Sequence, residues 1–383
     1  MRLQSSAQTK SLVSVATAQS DTQEVFACSL SKLTPKKLEA ALPDGKELTG
    51  RRPVILIDKQ VNALWKESLA KAPVFKDSTQ LVLPRGESAK TLPTVETTLR
   101  ALSRNEVSRH DHLLFAIGGG ALLDVAGFIA SVYNRGVPLI HVPTTLLAML
   151  DATLGGKTAI NFLGSKNQVG SFYPPVGSMV DLAFLQTLAP DQLREGLVEA
   201  VKMSFLAGPK AFDAIASDIP KVIEGDADAT MRIIADALQT KASFIKDDLR
   251  DMGPRQLLNF GHTTGHALEA VYGGRLSHGD AVGNGMLVAC ELSLAQKKIS
   301  RDDYLMLAQI LHSCGFTPLQ VSDAESLAVM LWQSIKVDKK RKGGQALFVL
   351  PHKPGEVAVT PVDQDDFAQA IVNVMQAIPA VVK

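Results

Sequence analysis

Cysteine is scarce in this chain: Cys28, Cys290 and Cys314 are the only three in 383 residues, and they form no CxxC pair. A sparse, odd set argues against a disulfide framework and for reduced thiols in a reducing, cytoplasmic compartment. An excess of charge of one sign is also missing, since 40 Lys and Arg stand against 39 Asp and Glu, a net charge of +1. That balance gives no basis for binding nucleic acid or a membrane surface. No apolar run approaches the ~18 residues of a membrane span, and no internal repeat or low-complexity linker interrupts the sequence. What is present is a globular composition, 46% hydrophobic and 21% charged. At 383 residues the chain exceeds one ordinary core, so two domains are expected.

The first 20 residues carry Arg2, Lys10, many small polar residues and no acid. That composition has a trace of a transit peptide, but Leu12, Val13, Val15 and Ala16 favour an extended strand. Short apolar runs follow at 53–57, ending at Asp58, at 81–83, at 112–117 and at 139–142. Helical spacing occupies 92–102 and 122–132 between them. Strands alternating with helices predict a doubly wound α/β layer. Beyond about Leu185 the texture becomes helical, with amphipathic segments at 190–206, 209–217, 227–247, 262–271, 279–297, 302–313 and 323–336. Strand-type clustering returns only at 346–350. The expected division is an α/β domain over 1–185 and a mainly helical domain over 186–383.

Three features carry chemistry. Gly118, Gly119 and Gly120 lie between a strand and a helix that includes Asp124. Glycines there let backbone approach a phosphate, and the helix start presents unpaired N–H groups. The pattern is not GxGxxG, so a plain tight turn competes with a pyrophosphate site. Next, a lysine-rich middle runs from Thr144 and Thr145 through Asp151 and Gly155-Gly156-Lys157 to Lys166 and Asn167. Lysine beside paired glycines is a common phosphate holder. Last, His262, His266 and His278 fall within 17 residues. His262 and His266 are four apart and share a helix face, so spacing alone favours them as a metal-ligand pair. Glu199 and Lys202 are three apart on an apolar helix, where a surface ion pair is the bland alternative. Arg255 and Asn259 lead into His262. Together they describe a cationic pocket for a substrate with more than one anionic group. The basic run 338–342 either closes that pocket or is a solvated loop.

Taken in order over roughly residues 50–350, these segments resemble the 3-dehydroquinate synthases of the sugar phosphate cyclase family. The motifs are Gly86-Glu87 with Lys90, Gly118-Gly119-Gly120 with Asp124, and Arg135-Gly136. Then come Pro143-Thr144-Thr145, Asp151 with Gly155-Gly156-Lys157, Lys166-Asn167, and Glu199 with Lys202. Lys241, Arg255, Asn259 through His266, and His278-Gly279 complete the set. The resemblance implies an N-terminal NAD-binding α/β domain and a mainly α-helical C-terminal domain that binds metal and substrate. It puts the metal ligands on Glu199, His262 and His278, and makes His266 a phosphate contact. That overrides the pairing suggested by spacing. NAD+ contacts are implied for Asp58, Glu87, Lys90, Gly118, Gly119, Gly120, Asp124, Thr144, Thr145 and Lys166. Lys157, Asn167, Asn259, His266 and Lys339 or Lys340 are implied to hold phosphate, with Lys202 catalytic and Asp151 substrate-binding. Arg255 and Lys241 are implied for a carboxylate, and Arg135 reaches a neighbouring subunit's site in a homodimer.

The activity so implied is cyclisation of a seven-carbon keto-acid sugar phosphate with loss of phosphate. It needs one Zn2+ or Co2+ and an NAD+ that is regenerated in each turnover, so the class is lyase. The pattern departs from the family's commonest one at Pro254, where leucine is more usual, at Asp280, where glutamate is common, and at Leu249, which replaces an acid. These departures leave room for an amino-dehydroquinate synthase or a sedoheptulose 7-phosphate cyclase. Arg255 argues for the keto acid, since a buried guanidinium facing no carboxylate is costly. A metal-dependent alcohol or glycerol dehydrogenase is the rival from another class. Such proteins tend to carry a lysine after the glycine loop's Asp-x-Ala and an aspartate ligand, where this chain has Gly127 and Glu199. A non-catalytic binding protein that kept the fold is disfavoured by the complete set of matched polar positions.

Overall fold

The computed structural model describes residues 9–17, 20–42, 48, 50–340 and 346–381. The chain divides into two compact units, Met1–Leu193 with Lys241–Arg250, and Arg194–Thr240 with Asp251–Lys383.

The first unit is built on a seven-stranded sheet. Its strands are β1 (Lys10–Thr17), β2 (Ser20–Ala27), β3 (Arg52–Asp58), β4 (Thr79–Leu83), β5 (His112–Gly118), β6 (Leu139–Pro143) and β9 (Gly177–Val180). β7 (Lys157–Phe162) and β8 (Ser165–Phe172) form a separate antiparallel hairpin. The sheet order is β1-β2-β9-β6-β5-β3-β4. All its pairs are parallel except β1–β2. The expected N-terminal strand is β1, which buries Val13 and Val15. The short apolar runs are the central parallel strands, and β5 and β6 are buried throughout. Strands covered on both faces read as unbroken apolar segments.

From β3 the chain goes to β4 on one side and then to β5 on the other. The strand order therefore reverses between β3 and β5, and their carboxyl ends, Asp58 and Gly118, flank a switch-point crevice. The helix Gly120–Val132 buries Leu122, Leu123, Val125, Ala126, Ile129 and Ala130. A helix apolar on nearly every side must be covered on nearly every side. Sheet residues such as Leu114 and Ala116 and hairpin residue Ile160 join it in one core. The hairpin turns at Leu163 and Gly164, both with positive φ (47° and 77°), the conformation a two-residue turn between twisted strands requires.

The second unit is mainly helical. The helix His278–Ala295 is its most buried member, with Ala281, Val282, Met286, Leu287 and Val288 enclosed. The helices His262–Tyr272, Arg301–Ser313, Ala324–Lys340 and Gln364–Val381 belong to the same unit. β10 (Leu347–Lys353) and β11 (Glu356–Pro361) pair antiparallel. Gly285 lets the His278–Ala295 helix approach the His262–Tyr272 helix closely, since an added Cβ would lie 1.9 Å from Gly261 O. Gly261 itself adopts φ +79° at the start of the His262–Tyr272 helix. No described helix is long and apolar enough to cross a membrane.

Candidate functional site

In the second unit three helices deliver Glu199, His262 and His278 to one point, each offering a ligand atom within 4.8 Å of the others. Glu199 sits on the helix Pro190–Ala207, whose residues from Gly196 to Leu206 are all buried. His262 and His278 are the first residues of their helices. Ser277 caps the second of these, accepting from the Asp280 N–H (3.1 Å) and donating to Asp280 Oδ2 (2.7 Å). Arg194 reaches the same carboxylate at 3.3 Å. The start of the His278 helix is therefore pinned from two sides.

The ring orientations are specific. His262 Nδ1 lies 3.2 Å from Phe260 O, which leaves Nε2 facing Glu199 Oε1 at 3.4 Å. His278 Nδ1 lies 3.5 Å from Glu269 Oε1, and its Nε2 is 3.3 Å from Glu199 Oε1. Lys202 occupies the other oxygen, Nζ to Oε2 at 2.6 Å, with both side chains only 4–5% exposed. A surface ion pair is thus excluded for Glu199 and Lys202. Burial by itself would raise the Glu199 pKa, but the Lys202 ammonium and the two imidazoles hold it well below the usual carboxylate range. Burial and the Lys202 charge push His262 down to about 3. For His278 burial acts downward too, but Glu199 and Glu269 outweigh it and raise the pKa to about 10.

Glu199 Oε1 is buried and makes no hydrogen bond among the described residues. A carboxylate oxygen facing two ring nitrogens at 3.3 and 3.4 Å fits a cation held between them. The donor set of one carboxylate and two imidazoles suits a catalytic divalent metal, because three protein ligands leave a position open. His266 does not join the cluster. It is exposed, and its ring meets the His262 ring edge-on at 5.3 Å. The ligand pair suggested by i,i+4 spacing is therefore corrected: His266 lies beside the centre, and Glu199 comes from another helix.

In the first unit, Gly119 caps the helix Gly120–Val132 without any side-chain hydrogen bond. The three glycines differ in what they permit. A Cβ on Gly118 would meet Leu122 at 2.6 Å, so strand–helix packing requires that glycine. A Cβ on Gly120 would meet nothing nearer than Ala152 Cβ at 3.9 Å. Packing within the chain does not demand glycine there, whereas the close approach of a ligand phosphate would. Thr144 N donates to Gly118 O (2.9 Å) and Thr145 stands against Gly119.

Asp124, in the first turns of that helix, pairs with the buried Lys90 at 2.6 Å. Lys90 Nζ also donates to Asn167 Oδ1. Asn161 joins the group, donating from Nδ2 to Glu87 Oε1 (2.7 Å) and accepting from Asn167 N (3.0 Å). Asp58 is buried and turned to the backbone, accepting from Gln60 N (2.7 Å) and Gly86 N (2.9 Å). Lys241 is buried and donates to Asp151 O (2.5 Å) and Oδ1 (2.7 Å).

A family model described as 3-dehydroquinate synthase N-terminal matches residues 80–195, and one described as 3-dehydroquinate synthase C-terminal matches residues 196–341. A 3-dehydroquinate synthase from Paenarthrobacter aurescens (strain TC1) is 38% identical over 280 residues, covering 72% of this chain and 76% of that protein. The chain belongs to the 3-dehydroquinate synthase family. Two solved structures are similar to it. One is 2-epi-5-epi-valiolone synthase from Streptomyces hygroscopicus subsp. jinggangensis 5008 with NAD+ and Zn2+ bound. It is 26% identical, with TM-score 0.80, and 94% of this chain and 98% of that one are covered. The other is 2-deoxy-scyllo-inosose synthase complexed with carbaglucose-6-phosphate, NAD+ and Co2+. It is 25% identical, with TM-score 0.81, and the coverage is again 94% and 98%.

Beyond the groups already described, the residues carried over from the 3-dehydroquinate synthase family are more dispersed. Lys157 and Lys166 are exposed on the β7–β8 hairpin. Arg135 is exposed, with φ +60°, at the end of a short 3-10 turn. Arg255 is buried and Asn259 half-buried on the 3-10 helix Pro254–Asn259. At three residues per turn, positions four apart diverge by a third of a turn, so those two side chains do not share one helical row. Pro254 occupies the start of that helix, where its missing N–H costs nothing. Lys339 and Lys340 end the helix Ala324–Lys340, with side chains outside the described residues, as are Arg341 and Lys342 entirely. Asn161 and Glu269 carried no sequence signal. One is neutral, and the other reads as an ordinary acid on an amphipathic helix.

Proposed function

We propose that this chain is a 3-dehydroquinate synthase. It cyclises 3-deoxy-D-arabino-heptulosonate 7-phosphate to 3-dehydroquinate with loss of phosphate, a step of the shikimate pathway of aromatic amino acid biosynthesis. The observation that carries the reading is the convergence of buried Glu199 with His262 and His278, their ligand atoms within 4.8 Å of one another, in a chain of this family. When bound, NAD+ supplies a reversible hydride acceptor, and a divalent ion, Zn2+ or Co2+, supplies Lewis-acid polarisation of substrate oxygens. Glu199, His262 and His278 would hold the ion.

The uncapped helix start at Gly119-Gly120 receives the pyrophosphate through backbone N–H groups. Lys90 and Asp124 hold each other beneath it. Lys202 keeps Glu199 ionised and supplies an ammonium beside the reacting centre. Arg255 and Lys241 bind the substrate carboxylate, where a planar bidentate donor is well suited. Lys157, Asn167, Asn259 and His266, with Lys339 or Lys340, bind the phosphate. In a homodimer Arg135 serves the neighbouring site. A cytoplasmic location accords with three free, buried thiols.

The test is mass analysis of products after the Zn2+- and NAD+-loaded protein meets the keto-acid phosphate. 3-Dehydroquinate and phosphate in equal amounts, with no net NADH, are expected. NADH accumulating in proportion to product would overturn the cyclase reading in favour of a dehydrogenase. Faster turnover of sedoheptulose 7-phosphate would overturn the substrate.

A further inference from the structure

We infer that Glu269 is a positioning residue of the metal centre: it holds His278 Nδ1 so that Nε2 points toward Glu199. The inference rests on the reading of Glu199, His262 and His278 as metal ligands. Glu269 lies seven residues after His262 on the helix His262–Tyr272. Two turns of helix put both side chains on one face. That single face thus offers one imidazole inward and one carboxylate to the other imidazole.

The two histidines are held differently. His262 Nδ1 faces a neutral acceptor, Phe260 O, at 3.2 Å. His278 Nδ1 faces a carboxylate, Glu269 Oε1, at 3.5 Å. The Glu269 side chain is 11% exposed against 30% for His278, so the partner is better shielded from water than the ring it holds. An imidazole that donates Nδ1–H to a carboxylate is fixed in the tautomer with a lone pair on Nε2, and its donor strength rises. His278 is the more exposed of the two rings, 30% against 15% for His262. It is therefore the ligand with more to gain from an external hold. Asp280, Ser277 and Arg194 fix the backbone from which His278 projects, but none of these contacts orients the ring.

The experiment measures the Zn2+ dissociation constant by competition with a chromophoric chelator, and the visible spectrum of the Co2+-loaded protein. Both are read for the full chain, Glu269→Ala and Glu269→Gln, with no substrate present. Glu269→Ala is expected to weaken Zn2+ about 10- to 100-fold and to shift the Co2+ bands. Glu269→Gln keeps an acceptor for Nδ1–H without the charge and is expected to fall between. A role confined to folding would lower the melting temperature of Glu269→Gln while leaving its Zn2+ constant and Co2+ spectrum as in the parent. That result overturns the inference, and it decides the matter even if Glu269→Ala does not fold. A parent protein that binds no Zn2+ would overturn the metal reading and this inference together.

Discussion

The polar centres of the two units solve opposite problems. In the second unit Glu199 and Lys202 are buried in a helical core and pair with each other, and the second carboxylate oxygen faces two imidazoles. In the first unit the pair Lys90–Asp124 and its amide neighbours are mutually bonded, and the adjoining helix starts at Gly119 with no side-chain capping hydrogen bond. On the proposed function, the first arrangement takes a cation through its side chains and the second an anion through backbone N–H groups. One centre is broken by removing a side chain, the other by adding one.

Removing an imidazole tests the first half of that contrast. His262→Ala should lose metal and at least about a thousandfold in kcat/KM, since metal polarisation is worth several kcal/mol. Elemental analysis alongside kinetics would expose an error if metal content and turnover both survived. Stripping the parent with a chelator should abolish turnover equally while far-UV circular dichroism stays unchanged. The Lys202 ammonium stays paired with Glu199 in the metal-free protein, so the core is not left with a lone buried anion. Loss of the helical signal on chelation would contradict that.

In the first unit, Lys90→Met should cost about 1–3 kcal/mol in denaturant unfolding, because Asp124 loses its ammonium. The glycines supply the sharpest comparison. Gly120→Ala should leave stability within about 1 kcal/mol while weakening NAD+ about tenfold or more in titration calorimetry. Gly118→Ala should lower the melting temperature through its Leu122 clash. Equal NAD+ affinity for Gly120→Ala and the parent would mean that no ligand approaches there. The smallest effect is expected at Asp151, whose side chain is 53% exposed. Asp151→Asn should cost under about 1 kcal/mol, as the carbonyl bond to Lys241 remains.

The central strands and most helices were legible because burial writes itself as periodicity: residues 53–57 and 112–117 read as unbroken apolar runs and are β3 and β5. The β7–β8 hairpin was not. β8 is mostly exposed and carries Ser, Lys, Asn and Gln, so a strand there resembles a polar loop. The C-terminal helix Gln364–Val381 also went unread. At the Glu199, His262 and His278 cluster, histidine spacing alone favoured His262 with His266, and only the family resemblance pointed to Glu199 as a ligand. Its spacing with Lys202 suits a surface pair equally well, and burial is what tells the two apart. That Arg255 and Asn259 lie on a 3-10 helix was not legible either, since propensity does not distinguish the two helix types.

The short return of Lys241–Arg250 to the first unit has a consequence for how the protein is made. A nascent chain that has reached Leu193 already contains all seven strands of the sheet. It does not yet contain the lysine that meets Asp151. Domains tend to fold in the order they emerge during synthesis, but here the first cannot be finished until residue 250 is available, after the stretch Arg194–Thr240 of the second has been translated. Cutting the gene near residue 193 would therefore yield all seven strands without the segment that brings Lys241 to Asp151.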